Sequence, residues 1–219
     1  MDFDLQVPSC SIFVGNTATG KTHAFRWIFS HIADKFDYGI VISSTCLVND
    51  DYDYIPKKYR HSEFDPDLIE ALEQKQAKCK AKELARSDYR CPMAFIILDD
   101  IIGSIDFRDK VGRVFNGVAK WRHLNISTFF IVQHLNYLSN VIRMSAKYVF
   151  VTRVNDSNVD ALYEVCAVGF ETKKKFKAYL NKHCVDYNLL CFRSDIGYGN
   201  ESASILHPPA EPVRFRLKY

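Results

Sequence analysis

Short, wholly apolar runs alternate along this chain with longer stretches in which apolar residues recur every three or four positions. The first kind is seen at Tyr38–Ser44 (YGIVISS), Ala94–Asp100 (AFIILDD), Ile126–Gln133 (ISTFFIVQ) and Tyr148–Arg153 (YVFVTR). These runs are β-branched or aromatic with little polar alternation, which predicts strands buried on both faces, as in a parallel sheet. Ile12-Phe13-Val14 is a further strand, and Leu189–Arg193 reads as an edge strand. The second kind predicts helices. Lys21–Lys35 carries Phe25, Ile28, Phe29 and Ile32 on one face. A helix from Asp65-Pro66 to about Arg86 has a good N-cap and first residue, and Leu68, Ile69, Leu72 and Cys79 form its stripe. Phe107–Arg122 repeats through Val111, Val114, Phe115 and Val118, and a helix from about Asp156 to Val168 turns Val159, Leu162, Tyr163 and Cys166 inward. Asp50–Pro56 is aromatic and acidic and reads as a loop. Strands alternating with helices predict an α/β fold, with a mostly parallel central sheet, helices on both faces and antiparallel strands at the edge.

The length of 219 residues, 47% hydrophobic, suits one α/β domain spanning 1–219. The proline-rich stretch from Leu206 to Pro212 cannot be helical, so 205–219 is expected as an extended C-terminal arm. A net charge of +3 permits a nucleic-acid partner without demanding one. The seven cysteines form no Cys-x-x-Cys pair and no zinc spacing, so reduced thiols are expected. No signal peptide opens the chain and no apolar run reaches the ~20 residues of a membrane span.

The first strand feeds Gly15-Asn16-Thr17-Ala18-Thr19-Gly20-Lys21-Thr22, the spacing of a P-loop. Gly15 and Gly20 free the backbone to aim N–H groups at phosphate oxygens. Lys21 reaches the β- and γ-phosphates, the Thr22 hydroxyl ligates Mg²⁺, and the following helix directs its positive end at the anion. ATP and Mg²⁺ are thus the expected cofactors. Asp99 and Asp100 end an apolar strand whose carboxyl end should open onto the same crevice. Asp99 is expected to hold the metal with Thr22, and Asp100 to orient or deprotonate the attacking water. An alternative role for Asp100 is to cap the next helix. Gln133, at a third strand end, can hold the water or sense the γ-phosphate, since an amide both donates and accepts.

The segment Trp121–Ser127 through Phe129–His134, continuing to Val141-Ile142-Arg143 and Val149-Phe150-Val151, resembles the HerA/FtsK superfamily of DNA-pumping ATPases. The compact size, the Ile97-Leu98-Asp99-Asp100 ending, the Arg122-His123 pair and the Ile142-Arg143 step are most similar to genome-packaging ATPases of large eukaryotic DNA viruses, poxvirus-like and virophage-type relatives included. The eleven-residue step from Arg122 to Gln133 is the more specific part of the resemblance. The resemblance covers roughly residues 10–165. It implies an ATPase that drives double-stranded DNA, without sequence specificity, into a preformed capsid as a homo-oligomeric ring, a pentamer or hexamer. It also implies a capsid shell partner at a vertex and a place in the host cytoplasm at virus assembly sites, or with the virion. Arg122 matches the arginine that completes a neighbour's site in this superfamily, with Arg143 and Arg153 as second choices. Membrane-anchored relatives carry a large N-terminal region, and a chain that begins almost at its P-loop strand is not expected to serve division or conjugation. Lys173, Lys174, Lys175 and Lys177, or else Lys75 to Lys82, are candidates to touch DNA phosphates. Two other readings compete. One is a P-loop nucleoside or nucleotide kinase, whose lid would have to come from the Arg108/Arg113 stretch. The other is a nucleotide-dependent capsid-docking protein without turnover.

Overall fold

The computed structural model describes residues 5–101, 112–167, 169–194 and 203–217, with the side chains of 112–116 not described. Its centre is an eight-stranded sheet in the order β3-β2-β4-β5-β1-β6-β7-β8. The strands are β1 Cys10–Val14, β2 Tyr38–Ser43, β3 Arg60–His61, β4 Ala94–Asp99, β5 Ile126–Val132, β6 Tyr148–Val151, β7 Leu189–Arg193 and β8 Ala203–Leu206. β3 through β6 in that order run parallel, and β7 and β8 close the edge antiparallel. The fold class read from the periodicity is therefore the observed one. The helices are α1 Lys21–Ser30, α2 Pro66–Ala85, α3 Gly112–Trp121, α4 Asn140–Ser145, α5 Asp156–Cys166 and α6 Lys173–His183. No helix among the described residues is long and apolar enough to cross a membrane.

Because successive strand residues point to opposite faces, the continuous apolar runs serve two cores at once. Ile96, Leu98, Phe130 and Val149 join one core with Ile69 and Leu72 of α2, Val118 and Trp121 of α3, Ile142 of α4, Val159 and Leu162 of α5, and Phe176 and Leu180 of α6. Phe95, Ile97, Phe129, Ile131 and Phe150 face the other way, onto Phe25, Ile28 and Phe29 of α1. Among the described residues, one long helix covers that second face. The remainder is covered by Tyr52, Tyr54 and Ile55 of the 50–56 loop, all fully buried or nearly so, and by Val213, Phe215 and Leu217 of the C-terminal arm.

Several expected boundaries shift. The P-loop helix ends at Ser30, with a separate 3₁₀ turn at Ala33–Lys35. Asp65 caps α2 as expected, its side chain accepting from the Asp67 N–H at 2.9 Å. The stripe of α2 differs, since Gln76 is fully buried and donates to the Pro92 carbonyl at 2.9 Å, while Cys79 is only half-buried. The 107–122 helix is seen as Gly112–Trp121, and Phe107 to Val111 lie outside the described residues. α5 stops at Cys166 rather than Val168. Leu189–Arg193 is a strand but not the edge; β8 pairs outside it.

The arm also differs from expectation. Ile205 and Leu206 belong to β8, and the extended part that follows is strapped down rather than loose. His23 meets the Pro209 carbonyl at 2.6 Å, buried Arg26 donates to the Val213 carbonyl at 2.8 Å, and the Leu217 N–H donates to the Tyr54 carbonyl at 3.0 Å. Phe215 stacks on Tyr54 at 4.4 Å between centroids. Arg26 is further held by Asp53 at 2.8 Å, so the strap, α1 and the 50–56 loop form one unit.

Candidate functional site

Sheet order explains the site. β5 lies between β4 and β1, so the carboxyl ends of three adjacent parallel strands carry Asp99-Asp100, Gln133 and Gly15 side by side. The Asp100 N–H donates to the Ile131 carbonyl at 3.0 Å and the Gly15 N–H to the Val132 carbonyl at 3.3 Å, which continues the ladder to these residues.

The P-loop is shaped by one close approach and two left-handed residues. A β-carbon on Gly15 would stand 1.8 Å from the Thr152 hydroxyl oxygen at the tip of β6, so no larger residue fits. Gly20 has φ 80 and Ala18 φ 58, and these left-handed residues on either side of Thr19 turn backbone N–H groups inward. Thr19 ties the loop by donating to the Asn16 carbonyl at 2.7 Å and bonding Thr152 at 2.8 Å. Asn16 is anchored in turn: its N–H donates to the Arg153 carbonyl at 2.8 Å, and its Oδ1 accepts from the Asn155 N–H at 3.2 Å. Lys21 donates from Nζ to the Asn16 carbonyl at 2.8 Å, so the ammonium lies within the loop. Burial lowers its pKa, and the carboxylates of Asp100 and Asp99 oppose that shift. Thr22 follows in the first turn of α1.

Thr17, Gln133 and Asp100 form a chain. The Thr17 hydroxyl donates to Gln133 Oε1 at 2.9 Å, and Gln133 Nε2 donates to Asp100 Oδ2 at 2.6 Å. The amide thus uses both ends, one toward the phosphate loop and one toward the carboxylate. Asp100 is exposed and has φ 48, which turns it out of the strand line toward the crevice. Its alternative role as a helix cap concerns residues 102–111, outside the described residues.

Asp99 is buried, and Tyr52 donates to its Oδ2 at 2.7 Å. Burial pushes its pKa up to about 6, while the Tyr52 hydrogen bond pulls the other way by favouring the charged form. Asp99 and Thr22 offer only hard oxygen donors, and Mg²⁺ commonly takes one or two protein oxygens with phosphate and water completing its shell. The two residues fit that ion.

Sequence reading missed Tyr52, 47 positions from its partner in a loop with no motif of its own. It also missed Asn158. That residue is fully buried, accepts from the Leu135 N–H at 2.9 Å and donates to the Gln133 carbonyl at 2.9 Å, fixing the end of β5. Tyr52→Phe is expected to keep the fold, because the ring stays, but to weaken Mg²⁺-ATP binding about ten- to a hundredfold, the scale of one hydrogen bond to a charged group. Calorimetric titration of the variant checks this; unchanged affinity would remove Tyr52 from the site.

The three arginines separate. Arg122 lies at the opposite end of β5 from Gln133, about 20 Å away at ~3.3 Å per residue, and its Nε contacts His123 at 3.3 Å. Arg143 is largely buried and pairs with Glu164 at 3.6 Å. Arg153 alone of these is at the P-loop end of the sheet, directly after β6. The basic clusters are partly neutralised: Lys173 pairs with Asp160 at 2.6 Å, Lys177 with Asp156 at 2.7 Å, and Lys175 with Glu171. On α2, Lys80 pairs with Glu83 and Lys75 lies 3.5 Å over the Tyr38 ring.

Solved structures share this architecture at low identity. The genome packaging NTPase B204 from Sulfolobus turreted icosahedral virus 2, in complex with ATP-gammaS, is 16% identical with a TM-score of 0.60, covering 93% of this chain and 99% of its own. The pCW3 conjugation coupling protein TcpA with ATPgS gives 0.63 at 13% identity, over 90% of this chain and 60% of that one. EssC (ATPases 2 and 3) from Geobacillus thermodenitrificans gives 0.61 at 11%, over 85% and 38%. Comparison with curated proteins gives no match. The family described as Poxvirus A32 protein matches residues 5–194, every strand but β8 included, and the chain belongs to that family.

Proposed function

We propose that this chain is an ATPase that drives double-stranded DNA into a viral capsid as a homo-oligomeric ring. The observation that carries the reading is the Thr17–Gln133–Asp100 chain, which joins the phosphate loop to a carboxylate by an amide using both its ends. In this arrangement the P-loop N–H groups and Lys21 hold the β- and γ-phosphates. Gln133 and Asp100 place a water on the far side of the γ-phosphorus, and Asp100 takes its proton as the bond to the β-phosphate oxygen breaks, releasing ADP and phosphate. Bound between Thr22 and Asp99, Mg²⁺ would neutralise charge developing on the phosphate oxygens. A carboxylate–amide pair at the γ end suits water better than a second phosphate acceptor, which favours hydrolysis over the kinase reading.

The link to packaging is supported by the family and by likeness to B204, whose description names it a genome packaging NTPase. A translocase must grip any sequence, so contacts should go to phosphates rather than bases. Arg122, remote from its own P-loop, is assigned to a neighbour's nucleotide, with a contribution of about 10³ to 10⁵ in rate. A capsid vertex as docking partner and the cytoplasmic assembly site as location belong to the same reading.

Hydrolysis measured against protein concentration, with and without long double-stranded DNA, tests it. Turnover per subunit should rise as rings assemble, rise again with DNA of any sequence, and stay at the dilute level in Arg122→Ala. Full turnover by dilute monomer, indifferent to DNA, would overturn the translocase reading.

A further inference from the structure

The groups for the γ end all lie on one flank of β1, at the tips of β5 and β4. A triphosphate held by the loop with its γ end toward Gln133 and Asp100 must send its nucleoside the other way, past β6 toward β7. On that flank is a cavity of about 710 Å³, lined by Ala18 and Thr19 of the P-loop, Arg153 after β6, and Asn181, Asp186 and Tyr187 from the end of α6 and the turn into β7. Its size falls within the range of small-ligand sites, about 300–1,000 Å³.

We propose that this cavity receives the ribose and base of the nucleotide, and that Tyr187 is the platform on which the base stacks. The inference rests on the nucleotide-binding reading above and adds where the nucleoside goes. Tyr187 is 72% exposed, although a large ring beside a core strand would ordinarily turn inward. Two consecutive non-glycine residues, Asp186 with φ 52 and Tyr187 with φ 62, adopt the left-handed backbone that sets this ring outward. The ring edge stands over the loop's last glycine, 3.2 Å from where a β-carbon on Gly20 would be, so phosphate grip and ring are contiguous. Such local strain persists where surrounding structure enforces it and clusters at ligand sites. Here Asn188 enforces it from both sides, its N–H donating to the Val185 carbonyl at 2.8 Å and its Oδ1 meeting His207 at 2.8 Å. The buried Leu180 and Cys184 give an apolar floor. The Asp186 carboxylate and Asn181 amide are the polar groups for ribose hydroxyls.

Binding of ATP and of inorganic tripolyphosphate, both with Mg²⁺, separates base from phosphate recognition. In wild type, ATP should bind more tightly than tripolyphosphate. Tyr187→Ala should raise the Kd for ATP about ten- to a hundredfold, the range for losing one base–aromatic stack, and leave tripolyphosphate unchanged. Tyr187→Phe, keeping the ring, should bind ATP like wild type. If Tyr187→Ala binds ATP as wild type does, or loses both ligands equally because the ring merely supports Gly20, the inference is overturned while the phosphate site stands. A wild-type protein that binds neither ligand would instead overturn the nucleotide reading itself.

Discussion

Asp100→Asn should bind ATP as the wild type does and fail to cleave it, with turnover reduced about 10²- to 10⁴-fold, the usual contribution of a positioned general base. The substitution isolates charge and basicity from shape. Asp100 has φ 48, a backbone that asparagine tolerates as readily as aspartate, so the turn should survive. The amide oxygen can still accept from Gln133 Nε2, leaving the Thr17–Gln133 link intact. Asp99, the proposed metal ligand, stays held by Tyr52 in its buried place, so Mg²⁺-ATP affinity should be preserved. Single-turnover hydrolysis alongside equilibrium binding distinguishes the outcomes. Equal loss of affinity in Asp99→Asn and Asp100→Asn would mean that the two carboxylates share the metal.

Lys21→Ala should abolish hydrolysis and weaken ATP binding by about thirtyfold to several thousandfold, the equivalent of removing one partner from a desolvated charge pair, ~2–5 kcal/mol. The ammonium donates to the Asn16 carbonyl, a neutral partner it can exchange for phosphate oxygens. Its removal leaves Asp99 and Asp100 without the positive charge that faces them, so the site would repel a triphosphate as well as lack a grip on it. Calorimetry of ATP binding is the check. A variant with unaltered affinity would show that the Gly15–Thr22 loop is not a phosphate site.

What was legible in the sequence was whatever is encoded by neighbours along the chain. The P-loop is contiguous, and the doubly buried strands carry their own apolar runs, so Asp99, Asp100 and Gln133 could be placed at strand ends before any contact was known. Long-range partners were not legible. Tyr52, Arg26 and Asn158 look like ordinary polar or aromatic loop and helix residues until the fold brings Asp99, the Val213 carbonyl and Gln133 to them. α6 was hidden because its lysine-rich face outweighs an apolar stripe of only Phe176 and Leu180 among its buried residues. β8 was hidden because Ala203–Leu206 buries only Leu206 fully and so lacks the period of a core strand. Mistaking β7 for the edge followed from that.

The strapped arm makes the site mechanically continuous with the far border of the sheet. The segment leaves β8, passes His23 in the first turn of α1, is gripped by Arg26 one turn later, and ends its described course on Tyr54, two residues from the tyrosine that holds Asp99. A helix tied down at successive turns cannot advance or retreat against a phosphate without tugging on the strand at the other end of the tie. Any stroke of α1 during a nucleotide cycle would therefore be transmitted as tension to β8, one of the two edge strands of the sheet.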